Sequence, residues 1–273
     1  MIKLDFFNPQ QIKCNKNVLI IGKRNAGKTV LAKDLLYHNK EDINHGIIFS
    51  NTIDNEPKII PSSFIYGEYD DEILEKFIDY QTKSCHMENT IRNIFYKKYN
   101  YQKEKKINYK LGKGHKRNHN PLIFNPNILK KSFVIFDDCL YDKTIIKSSN
   151  VRKIIFNGRF YKNLSLFNLQ YPINIGNVLK NNMDYIFIFR DNNENILRKI
   201  YELYAINYFS SHEIFIKYLN ACRRYECLVL DIACNSNNLK DKCFYYKAKI
   251  YKNFKIGSKQ LWKFDEFFEQ KRK

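Results

Sequence analysis

The chain has no Cys-x-x-Cys pair, no apolar run long enough to cross a membrane, no linker rich in Pro, Gly and Ser, and no internal repeat. Each absence narrows the reading. Its seven cysteines (Cys14, Cys85, Cys139, Cys222, Cys227, Cys234 and Cys243) lack any framework spacing. This argues against a disulfide scaffold or a cysteine zinc site and predicts buried thiols in a reducing compartment. Residues Met1–Cys14 place acidic and polar side chains where a secretory leader needs an apolar core, so a soluble, non-secreted protein without a transmembrane segment is expected. Without linkers or repeats, the 273 residues read as a single domain, 1–273, and a hydrophobic content of 44% is enough for a proper core.

What is abundant is positive charge. Lys and Arg total 47 against 28 Asp and Glu, a formal net charge of +19. Such a surface attracts polyanions, and phosphate backbones above all. The chain is also crowded with Lys, Asn, Ile, Tyr and Phe, which an AT-rich coding sequence favours, so composition alone leaves both explanations open. His115 and His119 are four residues apart, as in a helical metal pair, but they lie in a Lys-rich stretch with no partner cysteines.

Short apolar runs alternate with segments of helical period. Strands are expected at 18–22, 46–50, 132–138, 164–172 and 184–190, followed by a closing strand pair at 226–233 and 243–251. Helices are expected at 28–38, around 149–157, at 193–205 and at 211–225. Strands separated by helices predict an α/β fold with a mostly parallel sheet covered on both faces and a C-terminal strand pair. Residues 52–130 show no clean period. They read as an irregular basic insertion within the domain, with its basic and aromatic part over 97–117 a candidate for gripping DNA, or else a solvated surface segment.

Gly22, Lys23, Arg24, Asn25, Ala26, Gly27, Lys28 and Thr29 fit G-x-x-x-x-G-K-[ST] between a predicted strand and a predicted helix, with Val30 following in the helix. The spacing has a physical logic. Glycines let backbone N–H groups curl around phosphates, the helix N-terminus adds positive dipole, Lys28 reaches the β and γ oxygens, and the Thr29 hydroxyl ligates Mg2+. A dinucleotide fingerprint fits less well, because its third glycine and downstream ribose acid are missing. Asp137 and Asp138 close the strand "FVIFDD". Asp137 is positioned as the Walker B acid of the Mg2+ site and Asp138 as the group that polarises the attacking water; two acids at a strand end also suit an ordinary turn. Gln170, in "LSLFNLQYP", falls where a strand-end side chain can sense the γ-phosphate or simply make a terminal hydrogen bond. A second acid plus a polar sensor on a separate strand favours the additional-strand catalytic class of P-loop ATPases over kinases and small GTPases. Arg159 and Arg190 are candidates for a charge supplied to a neighbouring subunit's site, or for structural ion pairs.

The runs "IIGKRNAGKT", "FVIFDD", "FNGRFYKNLSLFNLQYP", "LKNNMDYIFIFRD" and "YECLVLDIACNSNNLKDKCFYYKAK" together resemble the poxvirus-type genome-packaging ATPases of nucleocytoplasmic large DNA viruses, within the FtsK/HerA superfamily. The resemblance extends from Asn17 to about Trp262 and implies a RecA-like P-loop fold. It implies ATP and Mg2+ as ligands, with Thr29 and Asp137 at the metal, Asp138 activating water, Gln170 matching the sensor of the family's "QY" pair, and arginine at 159 and 190. It further implies a homo-oligomeric ring, a hexamer or pentamer, that drives double-stranded DNA into a preformed capsid. Docking would be at the viral capsid or an inner-membrane packaging site, in the host cytoplasm (viral factory) and the virion. Phe160 stands where the family often has His, so no imidazole role is available there. A helicase working on single strands, or a scaffold that keeps the P-loop only for stability, are the competing readings.

Overall fold

The computed structural model describes residues 2–50, 59–86, 131–140, 142–172, 175, 180–263 and 266. Eight strands form one sheet: β1 (Asn17–Ile21), β2 (Ile43–Ser50), β3 (Ile65–Tyr66), β4 (Lys131–Asp137), β5 (Asn163–Leu169), β6 (Tyr185–Phe189), β7 (Glu226–Asp231) and β8 (Cys243–Lys247). Their spatial order is β3-β2-β4-β5-β1-β6-β7-β8. The first six run parallel, and β7 and β8 add an antiparallel pair at one edge. All five strands expected in the body of the sheet are present, as is the closing pair.

Every residue of β1, β5 and β6 is buried, as a parallel sheet covered on both faces requires. The pleat divides them between two layers. Val18 and Ile20 join the cluster containing Leu31, Leu35 and Leu36 of helix α1 (Lys28–Tyr37), whereas Leu19 and Ile21 join the opposite cluster. That second layer holds helix α2 (71–86) and, after the short helix α3 (Lys143–Lys147), helix α4 (Ser149–Asn157). Phe49, Phe136 and Phe167 are register partners across β2, β4 and β5. Their rings stack with centroids 5.7 Å and 5.0 Å apart, an aromatic ladder beneath the site.

Three boundaries depart from expectation. Helix α2 and β3 lie within the stretch read as irregular; the α2 side chains Leu74, Phe77, Ile78, Gln81 and Cys85 are buried, a helical spacing in a polar background. Residues 87–130 lie outside the described residues, so the basic segment and the His115 and His119 pair go with them. Strand β5 stops at Leu169 rather than Pro172, and β8 stops at Lys247, where the Lys249 N–H turns away to the carboxylate of Asp34 at 2.9 Å. None of the seven cysteines forms a disulfide and six are buried; burial pushes the Cys14 and Cys139 thiols up to about 12. No helix among the described residues is long and apolar enough to cross a membrane.

The N-terminal ends of β1 and β6 are tied together by Asp184, which is fully buried. Its carboxylate accepts from the Asn17 N–H at 2.9 Å, Lys16 Nζ at 2.8 Å and Arg159 Nη2 at 2.9 Å. Breaking a buried, hydrogen-bonded charge pair by removing one partner costs about 3 kcal/mol or more. Asp184→Ala should therefore lower stability by that order in urea unfolding, because the Asn17 amide and Lys16 lose their acceptor together.

Asp71 ties the start of α2 to α4. Its carboxylate accepts from Ser148 Oγ, the Tyr69 hydroxyl and Asn150 Nδ2, the last at 2.8 Å. Partial burial acts to raise its pKa, but these hydrogen bonds and nearby Lys153 outweigh it and hold the group below the usual carboxylate range. A depressed folded-state pKa stabilises above the unfolded value of about 3.9 and is lost as pH falls through the folded one. The stability advantage of the native chain over Asp71→Asn should accordingly shrink as pH is lowered below about 4, read from paired denaturation curves.

Candidate active site

The loop between β1 and α1 has the backbone of a phosphate cradle. The Ala26 N–H donates to the Lys23 carbonyl at 3.2 Å, Asn25 takes φ +64°, and Gly27 takes φ +114° as the N-cap of α1. Alternation of this kind turns successive N–H groups toward one centre. The N-cap makes no side-chain hydrogen bond, so the first-turn amides of α1 carry no internal cap. Glycine is required at both ends of the loop. A Cβ on Gly22 would sit 2.8 Å from the Cβ of Phe189 on β6, and one on Gly27 would meet the Tyr225 ring at 2.8 Å.

The acids arrive from the other side. Strand β5 lies between β1 and β4, so the strand with the acid pair is separated from the P-loop strand by one inserted strand. This is the additional-strand arrangement. Ser50, Asp137 and Asn168 are register partners on β2, β4 and β5, forming a polar row at the C-terminal edge of the sheet. Asp137 accepts from Ser50 Oγ at 3.1 Å and from Asn168 Nδ2 at 2.7 Å. Next to it Asp138 takes φ +53°, with its N–H on the Asn168 carbonyl at 3.2 Å. Lys28 is 6% exposed, and its Nζ lies 3.4 Å from Asp138 Oδ2 and 3.5 Å from the Lys23 carbonyl. Burial pushes the Asp138 carboxyl up, Lys28 opposes this, and the charge of Asp137 adds to it.

These groups line one cavity of about 600 Å³ that contains Lys28, Thr29, Asp137 and Asp138 together. A loop and a strand end 108 residues apart in sequence are brought to a single site by the sheet. The oxygens of Thr29 and Asp137 are hard donors suited to Mg2+, and the Oδ1 atoms of Asp138 and Asn168 are buried with no hydrogen-bond partner among the described residues. Among the described residues no group of three or more His, Cys, Asp and Glu is arranged to hold a metal ion. The donor set fits Mg2+.

Other expected residues stand differently. Gln170 follows the end of β5, half-buried, and is not part of the cavity wall; Asn168, two residues earlier on the same strand, is. Arg159 is ion-paired to Asp184 at the opposite, N-terminal end of the strands, away from this chain's own P-loop. Arg190 directly follows β6 at the P-loop end of the sheet and is exposed. The wall also includes Ser50, Lys33, Arg224 and Tyr225, which sequence reading missed. Asn168 had a signal, a lone amide in a buried apolar strand. Lys33 sits one helical turn after Thr29 on α1, whereas Ser50, Arg224 and Tyr225 had no signal, because only the sheet order brings them near the loop.

No family model matches the chain. Among curated relatives, uncharacterized protein 075L of Invertebrate iridescent virus 6 is 29% identical over 250 residues, covering 89% of this chain and 82% of its own length. Uncharacterized protein L437 of Acanthamoeba polyphaga mimivirus is 26% identical over 257 residues, covering 93% of this chain and 80% of its own. Among solved structures, the genome packaging NTPase B204 of Sulfolobus turreted icosahedral virus 2, in complex with AMP, superposes with a TM-score of 0.50 at 14% identity over 89% of this chain and 100% of that one. The conjugation coupling protein TcpA of pCW3 gives 0.51 at 12% identity, over 95% of this chain and 66% of that one. Fold and site together define the class: an α/β P-loop fold with one strand inserted between the cradle strand and the acid strand. Within that class its fold is the one seen in a viral genome-packaging NTPase, and the sequence relatives named here are proteins of large DNA viruses.

Asn168 Nδ2 holds the Asp137 carboxylate at 2.7 Å, and loss of a hydrogen bond that orients a metal ligand typically costs about 10- to 100-fold in metal affinity or activity. Asn168→Leu, close in volume, is expected to weaken apparent Mg2+ affinity in that range in a magnesium titration of ATP turnover. Unchanged Mg2+ dependence would remove Asn168 from that role.

Proposed function

We propose that this ATPase moves double-stranded DNA, filling a preformed viral capsid with its genome. The observation that carries the reading is the single cavity in which the P-loop Lys28 and Thr29 meet the acid pair Asp137 and Asp138. The fold shared with a genome-packaging NTPase, the viral relatives and the net charge of +19 support DNA as the load.

In this reading the amides of residues 22–30 cradle the α- and β-phosphates of ATP, and Lys28 balances charge on the β and γ oxygens. Thr29 and Asp137 would hold Mg2+, whose contribution when bound is to neutralise phosphate charge. Asp138 orients a water and takes its proton as the water oxygen bonds to the γ-phosphorus and the bond to the ADP oxygen breaks. Asn168 fixes Asp137, and Gln170, just beyond the same strand, couples the strand end to the phosphate state. Arg190, exposed at the P-loop end, is the better placed of the two arginines for a neighbour's site in a ring of five or six copies. Arg159 is already engaged by Asp184 within its own chain. Residues 97–117 supply phosphate grip, and the ring docks at the capsid or an inner-membrane packaging site of the virus in the host cytoplasm.

Lys28→Ala should abolish ATP binding, and Asp138→Asn should bind ATP but turn over at least a hundredfold more slowly, an effect on the order of that from loss of a general base. Phosphate release should be stimulated more by duplex than by single-stranded DNA, with a steep salt dependence and little sequence preference. Greater stimulation by single strands would favour the helicase instead, and turnover by Asp138→Asn at the native rate would sink the mechanism.

A further inference from the structure

The cavity reaches beyond the residues that the ATPase reaction uses. On the side of the P-loop away from the acids, its wall is formed by Arg224 and Tyr225, in the turn that enters β7. That turn is firmly built. The Glu226 N–H donates to the Arg223 carbonyl at 2.9 Å, the Arg223 N–H to Glu226 Oε2 at 2.8 Å, and the Ala248 N–H to the Tyr225 carbonyl at 2.9 Å.

Within it Tyr225 takes φ +62°, a left-handed conformation that a bulky aromatic residue rarely adopts and that carries strain. Gly at this position would relieve the strain. Retained in it, the tyrosine places its ring edge against Gly27, where a Cβ would come within 2.8 Å. The Arg224 guanidinium lies over the same ring, 5.0 Å from its centroid, with Nη2 on the tyrosine hydroxyl at 3.1 Å. The result is a rigid, π-rich and cationic wall bordering the phosphate cradle.

Sheet order gives this wall its direction. Asp137 and Asp138 end β4, two strands to one side of β1, and Tyr225 precedes β7, two strands to the other. A nucleoside triphosphate whose terminal phosphate faces the acids must run its other end toward β7. Resting on the proposed ATPase reading, we infer that Arg224 and Tyr225 are the nucleobase platform of the site, holding the base of the nucleoside triphosphate by stacking. Stacking on an aromatic or guanidinium plane needs no hydrogen-bond readout and is worth enough per base to dominate nucleoside affinity.

Binding of ATP and of inorganic tripolyphosphate, both with Mg2+, to the full chain separates the two ends of the ligand. Tyr225→Gly, which keeps the backbone relaxed, is expected to weaken ATP by about tenfold or more and leave tripolyphosphate within about twofold, as loss of one stacked base implies. Tyr225→Phe, which keeps the ring, should bind ATP like the native chain. Native ATP affinity in Tyr225→Gly, or equal losses for ATP and tripolyphosphate, would overturn the platform while leaving the phosphate cradle standing. Failure of the native chain to bind either ligand would overturn the ATPase reading and the platform with it.

Discussion

Asp137 is buried, and the structure depends on what makes that tolerable. A carboxylate at the end of a strand packed on both faces must find donors inside the protein, and it finds them in its two lateral neighbours, Ser50 Oγ at 3.1 Å and Asn168 Nδ2 at 2.7 Å. Those donors face it only because β2, β4 and β5 are in parallel register there. Below the polar row, Phe49, Phe136 and Phe167 stack in the same register and hold the three strands at that spacing. The polar edge is thus a consequence of the core beneath it. A slip of β4 by one residue would turn Asp137 away from its donors and Phe136 out of the aromatic ladder together.

The two ends of the sheet are electrostatically unlike. At the N-terminal end, Asp184 gathers Lys16, Arg159 and a backbone amide, closing that end with satisfied charge. At the C-terminal end, Lys28 and Asp138 face each other at 3.4 Å across a cavity, and oxygens of Asp138 and Asn168 have no partner among the described residues. The left-handed backbone of Asn25, Gly27, Asp138 and Tyr225 collects at the same end, in the elements that border the cavity.

Much of this was legible in the chain. The P-loop reads directly because its chemistry needs consecutive residues, and the acid pair reads because an apolar strand that ends in two carboxylates is a local pattern. Strand order could be anticipated in class but not in detail. Helix α2 gives a weak signal although Leu74, Phe77, Ile78 and Gln81 keep a helical spacing, because few apolar residues among many charged ones dilute it. Gln170 reads as a sensor from its place at the end of an apolar strand; β5 stops at Leu169, and the amide that lines the cavity and meets Asp137 is Asn168, two residues earlier. Arg159, a candidate for a neighbour's site or for a structural ion pair, is ion-paired to Asp184 at the N-terminal end of the strands.

By itself the sequence determined which groups are covalently near one another: the cradle, its lysine and threonine, the paired acids, and the alternation of strands and helices that makes a parallel sheet. Local spacing suffices for these because each acts within a few residues of backbone. The tertiary structure decided everything that depends on lateral neighbours, namely which strand lies between cradle and acids, which amide steadies Asp137, and which aromatic residue borders Gly27. Those neighbours are tens to hundreds of residues away along the chain, and only the register of hydrogen-bonded strands brings them to within a few ångströms.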